Sequence, residues 1–157
     1  MSKFSSYFSD EFAALEQRSK DIDEILQDRM FLIGGDFYGI QKFIFDNLGS
    51  KNAAKVLRAK SAFCELFMVV LSKFICQKFS IDEKHILSCT AGKFEILSPK
   101  FDEAAFKEIK GVINAYFIKN FFGVSGVSLS CVECERADFT EPQQYKELRD
   151  KISKAVE

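Results

Sequence analysis

The 157-residue sequence contains no tryptophan and a single histidine, His85. With no serine and aspartate arranged around it in triad order, that imidazole offers no nucleophilic relay. Long apolar runs are lacking as well: the longest are interrupted by lysine and serine, and none reaches the roughly 20 residues of a membrane-spanning helix. A soluble chain with no membrane partner is expected. Neither sign of charge is in excess. A formal net charge of -1 and a pI near 6.0 exclude the broadly basic surface of a stand-alone nucleic-acid-binding module, so any anion site must be local. No repeat, low-complexity segment or linker is present. The five cysteines are an odd number with no secretory leader ahead of them, which points to a reduced, cytoplasmic protein. Cys131-Val132-Glu133-Cys134 is a lone Cys-x-x-Cys. Zinc needs a second pair of ligands, and positions i and i+3 of an extended strand point to opposite faces, so these cysteines are expected to be structural.

What is present is apolar bulk: 47% of residues are hydrophobic and 18 are phenylalanine. That is enough for one buried core and too short a chain for two ordinary domains. Residues 1–157 are expected to form a single domain, with a core at about 30–134 and flanking helices at 7–28 and 142–156.

The central stretch runs from Phe31 to Phe45. An apolar run, Met30 to Ile33, has the length of a buried strand and is followed by Gly34-Gly35, which predicts a turn carrying Asp36 at the strand's carboxyl end. Gly39 permits a second bend before Ile40, Phe43 and Ile44 resume at helical spacing. A carboxylate so placed suits Mg²⁺, which takes one or two protein carboxylates and leaves its other positions to water and phosphate. The same aspartate would equally serve as the N-cap of the following helix.

Before this stretch, Phe8, Phe12, Leu15, Ile22, Ile25 and Leu26 predict an amphipathic helix. After a short helix Ile40–Asn47 and a break at Leu48-Gly49-Ser50, a long helix is predicted over Asn52–Phe79, with Val56, Ala59, Phe63, Phe67, Val70 and Phe74 as its core face. His85–Thr90 and Phe94–Leu97 read as a hairpin around Thr90-Ala91-Gly92-Lys93. Asp102 can cap a helix whose apolar positions are Ala105, Ile109, Val112, Ile113, Tyr116, Phe117 and Phe121. Val127, Leu129 and Cys131 mark a last strand, covered on both faces where Val132 falls, and Tyr145, Leu148, Ile152 and Val156 a last helix. This order predicts an α+β fold, the ferredoxin-like βαββαβ unit with a four-stranded antiparallel sheet. Pairing the first strand with the hairpin brings Asp36 to the Ala91-Gly92-Lys93 turn. Between Asp46 and Glu65 there is no acid, and Lys51, Lys55 and Arg58 form one stripe, either an anion-binding face or a solvated one.

The segments Gly35–Phe45, Lys55–Ser61 with Glu65-Leu66, and Ala91-Gly92-Lys93-Phe94 resemble the first palm domain of the large subunit of type III, Csm-type CRISPR effector complexes. The similarity spans roughly Met30 to Cys134. In that family two palms face each other around a pair of ATP molecules, and the second palm carries the Gly-Gly-Asp-Asp loop that makes cyclic oligoadenylates when target RNA is bound. The resemblance implies an antiviral-defence function, ATP with Mg²⁺ as cofactor, and nucleotide contacts at Gly35, Asp36, Phe37, Gly39, Gln41, Lys55, Arg58, Ser61, Gly92 and Lys93, with Asp36 holding the metal. It implies as partners a second palm, other effector subunits and, indirectly, guide and target RNA. Related GGDEF-type palms carry acids in the hairpin turn that complete a two-metal site. Here the turn carries Lys93. The expected function is therefore a degenerate ATP-binding palm, inactive alone, in a synthase completed by another domain. A stand-alone nucleotidyl cyclase homodimer and a non-catalytic scaffold are the alternatives. The family's nuclease domain, zinc-bearing linker and second palm are not in these residues, as expected of an excised domain or a short gene product.

Overall fold

A computed structural model describes residues 3–46 and 52–156. Its elements are α1 (Lys3–Ile25), β1 (Met30–Tyr38), α2 (Ile40–Phe45), α3 (Ala53–Phe79), β2 (Ile86–Thr90), β3 (Lys93–Ser98), α4 (Glu103–Phe121), β4 (Gly126–Cys134), α5 (Ala137–Thr140) and α6 (Pro142–Val156), with one 3₁₀ turn at Glu83–His85. The four strands lie in the order β2-β3-β1-β4, every neighbouring pair antiparallel. This is the anticipated βαββαβ sheet. Among the described residues no helix is long and apolar enough to cross a membrane.

Gly34 and Gly35 do not end the first strand, contrary to the turn expected there. β1 continues through them to Tyr38, paired with β3 as far as Asp36 and with β4 along its whole length. What the glycines provide is close approach. A Cβ on Gly35 would lie 2.3 Å from the ring of Phe94, its cross-strand partner, and a Cβ on Gly34 would lie 3.0 Å from Ile152 of α6. Asp36 is consequently a strand residue and not a helix cap; the N-cap of α2 is Gly39, in the left-handed region at φ 71°. The hairpin turn is Ala91-Gly92, both with positive φ (52° and 78°), the geometry that a two-residue antiparallel connection favours.

Alternation along β1 divides the molecule. Ile33 and Phe37 enter a large core beneath α3 and α4, whereas Met30 and Leu32 enter a smaller one on the opposite face with Ile25, Leu26, Leu148 and Ile152. The inward face of α3 is turned from the expected one: Cys64, Met68, Leu71, Ile75, Cys76 and Phe79 are buried, while Val56 and Val70 are exposed. The expected positions Phe63 and Phe67 sit at the flank, where their rings meet Phe117 and Phe121 of α4 at centroid distances of 5.1–5.5 Å. Large rings fill the space between the helices, and slimmer side chains take the tight layer against the sheet. On α4 the buried residues are Phe106, Ile109, Ile113 and Phe117; Val112 and Tyr116, also expected inside, are exposed. Asp102 caps α4 as expected, accepting from the Ala105 amide at 3.0 Å.

The first helix runs Lys3–Ile25 and not to residue 28, and from Asp10 onward its one buried residue is Ile25. Phe12 and Leu15 remain exposed, because the small core is reached only further along, by Ile22, Ile25 and Leu26. Polar contacts hold the rest: Arg18 donates to the carbonyls of Lys84 and Ile86, and Lys84 meets Glu24 at 3.8 Å. The side chain of Phe8, residue Asn47, the Leu48-Gly49-Ser50 break, Lys51 and the side chain of Val156 lie outside the described residues.

Candidate functional site

The helix α6 covers only part of the outer sheet face. Leu148 and Ile152 seal the Met30/Leu32/Leu97/Cys134 end, and the other end stays open as a cavity of about 380 Å³. Its lining comes from β1 (Gly34, Gly35, Asp36, Tyr38), β3 (Lys93, Phe94, Glu95), Ser128 of β4, and Arg149, Ile152 and Ser153 of α6. Register explains the gathering. Asp36 pairs with Lys93 on one side and Ser128 on the other, and Gly34 pairs with Glu95 and Ser130.

Four charged side chains line this cavity as two ion pairs. Asp36 Oδ2 lies 2.8 Å from Lys93 Nζ, and Glu95 pairs with Arg149. Glu95 is the most enclosed of the four, its side chain 15% exposed, and Ser88 Oγ donates to it at 3.5 Å. Beside Gly34, the buried hydroxyl of Ser130 has no hydrogen-bond partner. The two carboxylates supply hard oxygen donors of the kind Mg²⁺ takes, and the two cations match phosphate oxygens.

Of the expected nucleotide contacts, Gly35, Asp36 and Lys93 line the cavity, and Gly92 precedes Lys93 in the turn. The others are not brought there. The Phe37 side chain points to the opposite face and is packed among Phe43, Phe67 and Phe117, while its amide donates to Gly92 O at 2.8 Å. Gly39 shapes the entry to α2, and Gln41 is exposed on that helix. Lys55, Arg58 and Ser61 are exposed on α3, which packs on the other side of the sheet from Asp36. Strand alternation, which a turn at Gly34-Gly35 would have removed, is what separates them. Lys60, on the same helix, donates to Asp46 O at 2.7 Å and lies over the Phe43 ring, tying α3 to α2.

Glu95 and Arg149 are not among the site residues expected from the sequence. A period of two from Lys93 puts Glu95 on the Asp36 face, and Arg149 lies three and four positions before Ile152 and Ser153, so both were findable once the strand and the helix were placed. His85, Cys131 and Cys134 lie outside the lining of this cavity. His85 Nδ1 lies 2.6 Å from Leu97 O. Cys131 packs on the large core and Cys134 in the small one, and burial pushes both thiols up to about 12, so neither is a ready thiolate ligand.

The sequence profile of the family described as "Csm1 subunit domain B" matches residues 29–157. The chain belongs to that family. Its fold agrees with solved Csm1 structures: a crystal structure of Csm1 in T.onnurineus is 25% identical with a TM-score of 0.67, over 82% of this chain and 19% of that one. The apo Csm1-Csm4 cassette is also 25% identical, with a TM-score of 0.69 over 82% of this chain and 18% of that one. A Csm1-Csm4 cassette in complex with one ATP shares the fold at 23% identity and a TM-score of 0.68, over 84% of this chain and 19% of that one. The Csm1-like chain thus spans about a fifth of the length of the solved chains it matches. No curated protein matches it.

Proposed function

We propose that this Csm1 domain B acts as a nucleotide-holding palm: it binds ATP with Mg²⁺ on its open sheet face and, in a longer large subunit, forms one wall of a cyclic-oligoadenylate synthase site completed by a second palm. The observation that carries this reading is the cavity itself, in which a carboxylate and an ammonium stand side by side on adjacent strands. Asp36 would take the metal, and Lys93 the phosphate that the metal bridges. Bound Mg²⁺ would supply charge neutralisation at the phosphates.

The chain's own groups bind and orient; they do not complete a two-metal displacement. At the hairpin turn a lysine stands where cyclase-type palms need an acid, and its ammonium already occupies the carboxylate of Asp36. This disfavours the stand-alone cyclase. Other effector subunits, including a Csm4-type partner like that in the solved cassettes, would contact the longer protein, and guide and target RNA would act through them. Titrating the labelled chain with ATP and Mg²⁺, followed by NMR, tests the reading. Shifts centred on Asp36, Lys93 and Ser128 are expected; a chain that binds no nucleotide there is a scaffold.

A further inference from the structure

The two ion pairs in the cavity are a charge balance that any ligand has to exchange. Asp36 and Glu95 contribute two negative charges, Lys93 and Arg149 two positive ones, so the face presents no net attraction to an anion. A polyphosphate arriving alone can recruit Lys93 and Arg149 only by stripping them from their carboxylates. Because Glu95 is largely enclosed, the carboxylate left behind would be both unpaired and poorly hydrated. A divalent cation arriving alone faces the converse problem with the two cations.

We infer that α6 supplies Arg149 as a phosphate-binding residue, that Glu95 is a second metal-holding carboxylate, and that nucleoside polyphosphate and divalent cation bind together by exchanging both ion pairs. This rests on the nucleotide reading above and adds to it the part of α6. Asp36 and Glu95 sit diagonally on paired strands, where neighbours are about 7–8 Å apart, within the reach of two carboxylates converging on one hydrated ion. The guanidinium is well placed for bidentate contact with phosphate, since Leu148 and Ile152 on either side of Arg149 are buried and fix the helix. In the exchanged state Lys93 and Arg149 meet phosphate oxygens and the two carboxylates meet the metal, so none of the four side chains is left unpaired. Coupling of this kind is reciprocal: Mg²⁺ strengthens ATP as much as ATP strengthens Mg²⁺.

Calorimetric and NMR titrations of the 157-residue chain with ATP, with and without Mg²⁺, test this on four variants. Arg149→Ala is expected to weaken Mg²⁺–ATP binding about tenfold, the worth of one charged hydrogen-bonded contact, with Arg149→Lys recovering part of it. Arg149→Gln, closer in size, repeats the test should the alanine variant lose its native spectrum. Glu95→Gln is expected to bind metal-free ATP severalfold more tightly than the wild type, because Arg149 is released and no carboxylate is stranded, and to lose most of the enhancement by Mg²⁺. A merely structural Glu95–Arg149 pair would not reverse sign with metal. Wild-type shifts at Asp36 and Lys93 together with unchanged affinity in the Arg149 variants would overturn the exchange while leaving the nucleotide reading intact. No shift at Asp36 or Lys93 in the wild type would overturn both.

Discussion

Asp36 and Lys93 face each other across the β1–β3 ladder, Oδ2 to Nζ at 2.8 Å. The strand end that would hold one metal ion is matched not by a second acid but by an ammonium. Alone, the chain should therefore make no cyclic or linear oligonucleotide from ATP or GTP with Mg²⁺ or Mn²⁺. Chromatography of the reaction products checks this, and product above an Asp36→Ala control would contradict it.

The phase of α3 is open to a direct stability test. Ile75 is fully buried, so Ile75→Ala should cost about 2–5 kcal/mol by cavity formation. Val70, five residues earlier on another face of the helix and 58% exposed, should cost within about 0.5 kcal/mol when replaced by alanine. Urea unfolding of both variants measures the difference. Equal losses would mean that the helix presents another face to the sheet.

Gly35 is required for its lack of a side chain. In Gly35→Ala the new methyl would fall 2.3 Å from the Phe94 ring, which is buried and cannot swing away. Overpacking of this kind costs about 1–3 kcal/mol, and Gly111→Ala, with nothing near its Cβ, provides the control that should not be destabilised. Thermal unfolding of the pair is the measurement.

Legibility in the sequence followed the range of the forces involved. Periodicity located α3, α4, β4 and α6, because each has a polar and an apolar side along its own length, whereas β1 showed as a short apolar run and the hairpin through its glycine turn. The glycine pair misled, since Gly34-Gly35 signals a turn locally and close packing only in three dimensions: its partners Phe94 and Ile152 are far along the chain. The Phe63/Phe67 stripe misled for a related reason, because aromatic bulk marks the space between two helices as readily as the layer beneath one. For the site, Asp36 and Lys93 followed from their motif and the hairpin. Arg149 did not, because only the tertiary placement of α6 brings it to Glu95.

The thiols give a pH prediction. Burial pushes Cys131 and Cys134 up to about 12 from an ordinary 9.0, so between those values the unfolded chain releases protons that the folded chain keeps. Stability on this account is full below pH 9 and falls as pH rises through the window. Cys131→Ala should flatten the fall that begins near pH 9 and continues towards about pH 12 in urea-unfolding midpoints. An unchanged slope would assign the alkaline loss to other groups.

ATP binding by the isolated palm should be weak, near a millimolar Kd or about 4 kcal/mol, because a second palm would supply the other half of the contacts. Asp36→Asn should remove the dependence on Mg²⁺. The most direct measurement is an amide-resolved NMR titration with ATP and Mg²⁺: shifts concentrated at residues 34–38, 93–95, 128 and 149–153 are the predicted result. Shifts centred on Lys55, Arg58 and Ser61, or tight binding indifferent to Asp36→Asn, would contradict the placement of the site on the open sheet face.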